Sequence, residues 1–229
     1  MKSNIAKAIR MKYSPVALMW SDEKPKGAIE FAEGKWGCLM SLAASAAKGR
    51  VAAASRETCG CSGGYVGAGF GDKFAQIPGG IEHFLSSGNP DLIKTEEGRK
   101  LAEAHPDMLH GERYIKTPEL ARKFVESLPI MDIPAKYIVF KPLEMLEGYE
   151  VPKSIIFMVN PDQLSALVVL ANYGRETTDN VTMPMGAGCH QTGILVYREG
   201  ESEHPKAVVG LTDLSARKYT NQALGKDIL

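Results

Sequence analysis

The spacing of hydrophobic and polar positions predicts strands and helices in the first quarter of the chain. Pro15–Trp20 and Val51–Ser55 are apolar runs of strand length. Between them, Cys38–Lys48 is rich in alanine and leucine, which favours a helix packed closely against a neighbour, and Gly49 is a typical stop residue. A further short helix is expected over residues 3–12.

The middle of the chain has helical periodicity. A helix is expected to open at Pro78 and to stop at Gly88, and Asn89–Ala104 has the pattern of an amphipathic helix. Thr117 is placed to cap another helix, with Pro118 in its first turn. We therefore predict a helical insertion over residues 78–128.

From residue 136 onwards the pattern returns to strands. Strands are predicted at four apolar segments, namely Tyr137–Phe140, Ser154–Val159, Ile194–Tyr197 and Ala207–Leu211. Pro161–Tyr173 is expected to be a helix, and because it is apolar nearly all round we place it in the interior. The tail from Asp213 is polar.

These elements predict an α/β (or α+β) fold with a mixed sheet flanked by helices. The chain of 229 residues is long enough for one compact domain, 1–229, in which two halves, 1–77 and 136–229, would surround the helical insertion. Each half runs strand, helix, Gly-Arg, strand, Gly-Cys, with the cysteines at Cys61 and Cys189. This order indicates either an internal duplication or chance similarity.

Composition excludes some classes of partner. Lys plus Arg and Asp plus Glu are 27 each, so the net charge of zero argues against bulk attraction to nucleic acid or to an anionic membrane surface. No apolar run reaches the roughly 18 residues of a membrane span, and the N-terminal apolar stretch is too short for a signal peptide. We expect a cytoplasmic protein whose oligomeric state stays open, a homo-oligomer included.

The stretch with the most chemistry is residues 56–71, which places Cys59 and Cys61 just before a run of glycines. Such a run predicts a loop whose backbone amides can point at a ligand. The four cysteines of the chain fit no zinc-finger or bacterial ferredoxin spacing. Either they are unrelated core residues, or Cys38, Cys59, Cys61 and Cys189 converge from three segments on one site.

The motifs Pro15-Val-Ala-Leu, Trp-Gly-Cys38, Glu-Thr-Cys59, Lys-Pro-Leu143 and Gly-Cys189-His give the chain a family resemblance. From about residue 10 to 220 it resembles the family catalogued as domain of unknown function 169, for which no activity can be carried over. The family is similar to proteins of anaerobic archaea and bacteria. The resemblance therefore implies a cytoplasm in which oxygen-sensitive iron–sulfur centres are usable.

The leading hypothesis is an iron–sulfur protein of anaerobic redox or small-molecule metabolism. Four thiolates are the usual ligand set of a 4Fe–4S cluster, and a helix N-terminus at Cys38 would donate N–H groups to sulfur. Zinc, a redox-active pair of Cys59 and Cys61 with Arg56 lowering the thiol pKa, and plain core cysteines are the other interpretations. His190, beside Cys189, is placed to join the site.

The alternative function is a metal-free module that binds a small anionic metabolite in the glycine-rich loop 60–71. In that case the loop amides, including those of Gly60, Gly63 and Gly64, would hold the anion, assisted by Arg56 and His190. The loop has neither the P-loop ending nor the dinucleotide-binding spacing of glycines, so it does not indicate a nucleotide site. The sequence names no substrate, no redox partner and no reaction.

Overall fold

The structure is a computed structural model that describes residues 3–77 and 79–225. Contacts between residues divide the chain into two compact units, the first made of the chain up to Gly71 and from Met131 onwards, the second of Asp72–Ile130. The predicted insertion 78–128 falls in the second unit. Pro78, which was expected to open its first helix, lies outside the described residues, as do residues 1, 2 and 226–229.

The helices and strands of both units are numbered in chain order. The helices are α1 Asn4–Ala8, α2 Leu39–Ala47, α3 Ser62–Ala68, α4 Ile81–Phe84, α5 Glu96–Ala104, α6 Pro106–His110, α7 Pro118–Ser127, α8 Pro161–Asn172, α9 Gly188–Thr192, α10 Ile194–Gly200 and α11 Leu214–Leu224. The strands are β1 Val16–Ser21, β2 Ala52–Ser55, β3 Tyr137–Pro142, β4 Ser154–Ile156, β5 Val181–Thr182 and β6 Ala207–Val208. Short 3₁₀ turns lie at Phe74–Gln76, Pro90–Lys94 and Leu143–Met145.

A four-stranded antiparallel sheet of order β2-β3-β1-β4 forms the centre of the first unit. The residues of β1 alternate between two buried faces: Val16 and Leu18 join the larger core, whereas Ala17 and Met19 join a smaller core on the other side. Strands β5 and β6 make a separate parallel pair. The fold is mixed α/β, as the sequence predicted.

Helix α2 covers the larger core, and its sequence explains how closely it packs. Its alanines at 43, 44 and 46 have no solvent exposure, and the helix contacts β3, β2 and α11. Alanine combines the highest helix propensity with the smallest side chain that a helix surface can present to a neighbour. The expectation of a close-packed helix here is confirmed.

The second unit is helical. Helix α7 begins where the sequence indicated, because Thr117 accepts a hydrogen bond from the N–H of Leu120 at 3.3 Å and Pro118 occupies the first turn. Within this unit α4 packs on α7 and α5 packs on α6. The predicted amphipathic helix at Asn89–Ala104 is interrupted, since a 3₁₀ turn ends before Thr95 and Thr95 caps a new helix, α5.

Two predicted elements are wrong. Residues 62–68 form helix α3 rather than an open loop, and only its end at Gly69 is left-handed, with φ 86°. Residues 194–197 belong to helix α10 rather than to a strand, although Ile194, Val196 and Tyr197 favour strands by propensity. In both cases packing in the first unit outweighs the local preference of the residues.

Helix α8 forms where it was predicted, but its predicted burial is wrong. None of its residues is buried, and Val169 is 65% exposed. Its start is fixed by a capping box between Asn160 and Gln163, and the Gln163 side chain also donates to the backbone carbonyl of Ile9 at 3.0 Å. Within residues 3–77 and 79–225, α8 and the other helices all lack the length and apolar character needed to cross a bilayer.

The two halves proposed as a duplication share an order of elements, but their second strands lie in different sheets. The first runs β1, α2, β2, α3 and the second runs β4, α8, β5, α9. Helices α3 and α9, which carry the matching cysteine segments, pack against each other. Strand β2 lies in the four-stranded sheet, however, whereas β5 pairs with β6. The duplication stays a prediction.

Candidate cysteine site

The four cysteines lie at the beginnings of helices or just before them. Cys38 is the N-cap of α2, Cys61 is the N-cap of α3, and Cys189 is in the first turn of α9. Cys59, two residues before the α3 cap, is 1% exposed, whereas Cys61 is only partly buried. All four are thiols rather than halves of a disulfide, so the chain brings soft donors from three segments into the first unit.

Glycines allow these segments to approach one another at backbone distance. A Cβ at Gly67 of α3 would lie 2.5 Å from the backbone nitrogen of His190 and 2.6 Å from the carbonyl carbon of Cys189. A Cβ at Gly60 would lie 2.4 Å from the carbonyl oxygen of Lys35, in the segment that leads to Cys38. Only a residue without a side chain fits at either position, and this is why the sequence is rich in glycine here.

Burial and nearby charges raise the thiol pKa of both Cys189 and Cys38. The pKa of Cys189 is raised well above its ordinary value, mainly by burial and further by the charges of Cys61, Cys38, Asp213 and Cys59. The contacts show which segments meet: Cys189 Sγ lies 3.2 Å from the carbonyl oxygen of Gly63, and α9, which carries Cys189, packs on α3 and contacts α2. The segments that carry the cysteines are therefore neighbours in the first unit, and Asp213 is bonded to the N–H of Gly188 beside Cys189.

Cys38 has the same kind of environment. Burial raises the pKa of its thiol from the ordinary 9.0 to about 11, and the charges of Cys61 and Asp213 act in the same direction. The backbone N–H groups of Met40 and Ser41 oppose this rise, although neither makes a cap hydrogen bond to the sulfur. The thiol is thus protonated at neutral pH, and amide donors are in place to stabilise a thiolate.

The thiols interact with nearby backbone groups. Cys189 Sγ donates to the carbonyl oxygen of Gly63 at 3.2 Å, and Cys59 Sγ donates to the carbonyl oxygen of Cys61 at 3.7 Å. Cys61 Sγ accepts from the N–H of Gly64 at 3.4 Å. As the side chains stand, the described ranges 3–77 and 79–225 contain no group of three or more His, Cys, Asp or Glu arranged to hold a metal ion. Ligation would require deprotonation and rotation of the thiols away from these carbonyls.

His190 and Arg56, the other side chains predicted for the site, differ from each other in their surroundings. His190 has no solvent exposure and follows Cys189 directly, inside α9. Arg56 lies on the segment 132–135, where its guanidinium donates to Asp132 Oδ1 at 2.5 Å and to the carbonyl oxygens of Ile133 and Ala135. It also stacks over the Phe70 ring, with 5.0 Å to the centroid. Its proposed role in holding a cofactor stays a prediction.

The three glycines proposed as an anion cradle differ in their surroundings. A Cβ at Gly60 would lie 2.4 Å from the carbonyl oxygen of Lys35. A Cβ at Gly64 would lie 3.2 Å from the Leu39 side chain and 3.3 Å from Cys59 Sγ. A Cβ at Gly63 would have an ordinary contact of 3.7 Å with Ala187. Gly60 and Gly64 thus serve close packing, and Gly63 and Gly64 belong to a helix rather than to a loop.

Sequence analysis missed Asp213, which is the N-cap of α11. Its Oδ2 accepts from the N–H of Ala216 at 2.8 Å, and its Oδ1 accepts from the N–H of Gly188 at 2.6 Å. An aspartate that directly precedes a run containing helix formers is a recognised N-cap signal. The polar character of the tail from Asp213 concealed this signal.

The fold and the site define a mixed α/β protein in which helices that begin at three cysteine segments pack on one another in the first unit. Comparison with known families matches residues 4–225, and the chain belongs to the DUF169 family, described as uncharacterised ArCR. A search of curated proteins found no significant match. A search of solved structures found none either.

The raised thiol pKa predicts that the metal-free, reduced protein loses stability at alkaline pH. A thiol with a folded-state pKa of about 11 stabilises the fold fully below the unfolded value near 9.0, and this contribution is lost as the pH rises towards 11. The loss from Cys38 alone should be roughly 2–3 kcal/mol. Urea unfolding at about pH 8 and about pH 10.5 measures it, and Cys38→Ala is the control. Equal pH dependence in the two proteins would contradict the assignment.

Proposed function

We propose that the protein holds an iron–sulfur cluster through Cys38, Cys59, Cys61 and Cys189. The observation that carries this proposal is the packing of the cysteine segments on one another: Cys189 Sγ contacts the Gly63 carbonyl oxygen at 3.2 Å, and α9 packs on α3 and α2, which begin after Cys61 and Cys38. Iron–sulfur clusters are held by cysteine thiolates and ordinarily take four of them. The number and softness of the donors therefore fit the group.

The surroundings of the sulfurs support the same proposal. Backbone N–H groups face sulfur at Cys61, from Gly64, and at Cys38, from Met40 and Ser41. N–H groups directed at sulfur stabilise the negative charge of a thiolate-bound cluster and adjust its reduction potential. The near-complete burial of Cys59 keeps water from that sulfur, whereas the partly exposed Cys61 marks the solvent side of the site.

A bound cluster would supply electron transfer, or Lewis-acid chemistry if one iron is left open to a substrate. The residues of the chain would bind the cluster, exclude water from three of the four sulfurs and donate N–H groups to two of them. Zinc, which also accepts four thiolates, is the main competing metal.

The test is the content of iron, acid-labile sulfide and zinc in protein purified without oxygen, together with a visible spectrum. About four iron and about four sulfide per chain, with a brown colour, are expected for a 4Fe–4S protein. About one zinc per chain with no iron would replace the cluster by a zinc site. Near-zero iron and sulfide after attempted reconstitution would overturn the proposal.

A further inference from the structure

We propose that Asp213 is the positioning residue for Cys189, because its carboxylate joins the first turn of α9 to the start of α11. Its two oxygens accept from two separate segments, Oδ1 from the N–H of Gly188 and Oδ2 from the N–H of Ala216. Gly188 directly precedes Cys189. The position of that thiol thus depends on a side chain 24 residues further along the chain.

The geometry around Gly188 leaves little freedom for another arrangement. A Cβ at Gly188 would lie 2.5 Å from Leu211 Cδ2, 2.8 Å from Ala216 Cβ and 3.3 Å from Asp213 Oδ1. Glycine is therefore required for the carboxylate to reach the Gly188 amide. Capping of α11 involves only the bond from the N–H of Ala216 to Oδ2. The bond from the N–H of Gly188 to Oδ1 is additional to the cap.

Thr212, next to Asp213, forms hydrogen bonds with residues on both sides of Cys189 in sequence, Gly186 and Gln191. Gln191 Nε2 donates to Thr212 Oγ1 at 2.8 Å, and Gln191 Oε1 accepts from the N–H of Thr212 at 3.1 Å. Thr212 Oγ1 also donates to the carbonyl oxygen of Gly186 at 3.0 Å. Residues 212 and 213 together hold the segment on both sides of Cys189, but only Asp213 brings a charge beside the sulfurs.

Because cluster ligands must be held in a defined geometry, loss of this link should weaken the site more than the fold. The consequence for metal binding rests on the proposed iron–sulfur function. The positional role itself does not, since it can be measured in the metal-free protein. The two can therefore fail separately.

Asp213→Ser separates capping from positioning. Serine is a good N-cap and should keep the α11 cap, but its side chain is too short to reach Gly188 as well. In metal-free protein, the amides of Gly188 and Cys189 should exchange hydrogen about tenfold faster than in the wild type, while the first turn of α11 stays protected. Asp162→Ser, in the exposed first turn of α8, is the matched control and should leave exchange at Gly188 unchanged.

The second measurement is the iron retained after anaerobic reconstitution and gel filtration, together with the visible spectrum. Asp213→Ser should retain less than about half of the wild-type iron and show an altered spectrum, and Asp162→Ser should match the wild type. Wild-type exchange at Gly188 in Asp213→Ser would overturn the inference whatever the iron content. Fast exchange with wild-type iron and spectrum would confirm the positional role and contradict its consequence for cluster binding. If the wild type itself binds no iron, the proposed function fails and the exchange measurement alone decides the inference.

Discussion

Gly67→Ala is expected to destabilise the first unit by about 3 kcal/mol or more, because a buried backbone contact cannot accommodate a methyl group. The new Cβ would lie 2.5 Å from the His190 nitrogen and 2.6 Å from the Cys189 carbonyl carbon. These are backbone atoms of a packed helix, so α3 and α9 must move apart. A loss of this size is a large part of the 5–15 kcal/mol by which domains are typically stable. Urea unfolding of the metal-free protein measures it.

Gly63→Ala is the matched control for this prediction. Gly63 lies one helical turn earlier in α3, and its added Cβ would meet only Ala187 at an ordinary 3.7 Å. In a helix, glycine to alanine is favourable by about 0.5–1 kcal/mol when the site has room. Gly63→Ala should therefore be at least as stable as the wild type. If the two variants were equally stable, the close packing of α3 on α9 would be contradicted.

Cys59→Ser is expected to lower the iron content from about four per chain to below about one, with loss of the brown colour. Cys59 is the most buried of the four cysteines, and a serine hydroxyl is a harder donor that does not provide a thiolate. The chain has four cysteines, all of them proposed ligands, so it offers no further thiol that could replace Cys59. Iron and sulfide analysis after anaerobic reconstitution measures the effect.

Met158→Leu controls for the loss of a buried sulfur that is not a proposed ligand. Met158 is 8% exposed in the same core, and methionine to leucine conserves volume. This variant should keep the wild-type iron content and spectrum. The cluster proposal would be contradicted if Cys59→Ser kept them as well.

Much of the fold was predictable because several elements carry strong local signals. Strand β1, the alanine-rich α2 and the capped start of α7 all form where hydrophobic pattern and capping residues indicated. Helix α3 was not predictable, since its three glycines at 63, 64 and 67 each cost about 1 kcal/mol of helix propensity. The close approach of α9 offsets that cost, and a single sequence does not show which segment will provide it.

The exposure of α8 was also not predictable from the sequence, because it depends on tertiary structure. An apolar helix is usually interior, but burial depends on whether a neighbouring element is available to cover it. Among the described residues Leu170 and Tyr173 are exposed at its C-terminal end. The period of the hydrophobic pattern thus predicted the helix correctly and its environment incorrectly.

The site was only partly predictable from residue types. Cysteines at 38, 59, 61 and 189 raised the hypothesis of convergence, and the structure packs α9, which carries Cys189, on α3 and α2, which begin after Cys61 and Cys38. Their role as metal ligands stays a prediction. Asp213 could have been recognised as an N-cap, but its second contact, to Gly188, depends on tertiary structure. Arg56 illustrates the reverse case, since a charged residue near two cysteines instead binds the segment 132–135.

The first unit closes on itself where the second unit begins and ends. Phe70 pairs with Asp132 in an antiparallel bridge, the N–H of Gly71 donates to the carbonyl oxygen of Met131 at 2.9 Å, and the N–H of Ile133 donates to that of Gly69 at 2.7 Å. For the first unit, the intervening chain is thus a long loop whose two ends, residues 69–71 and 131–133, are hydrogen-bonded to each other. Each doubling of the length of such a loop costs only about 0.6 kcal/mol of loop-closure entropy. This junction is consequently the place where evolution could lengthen, shorten or exchange a whole module while the cysteine site stayed intact.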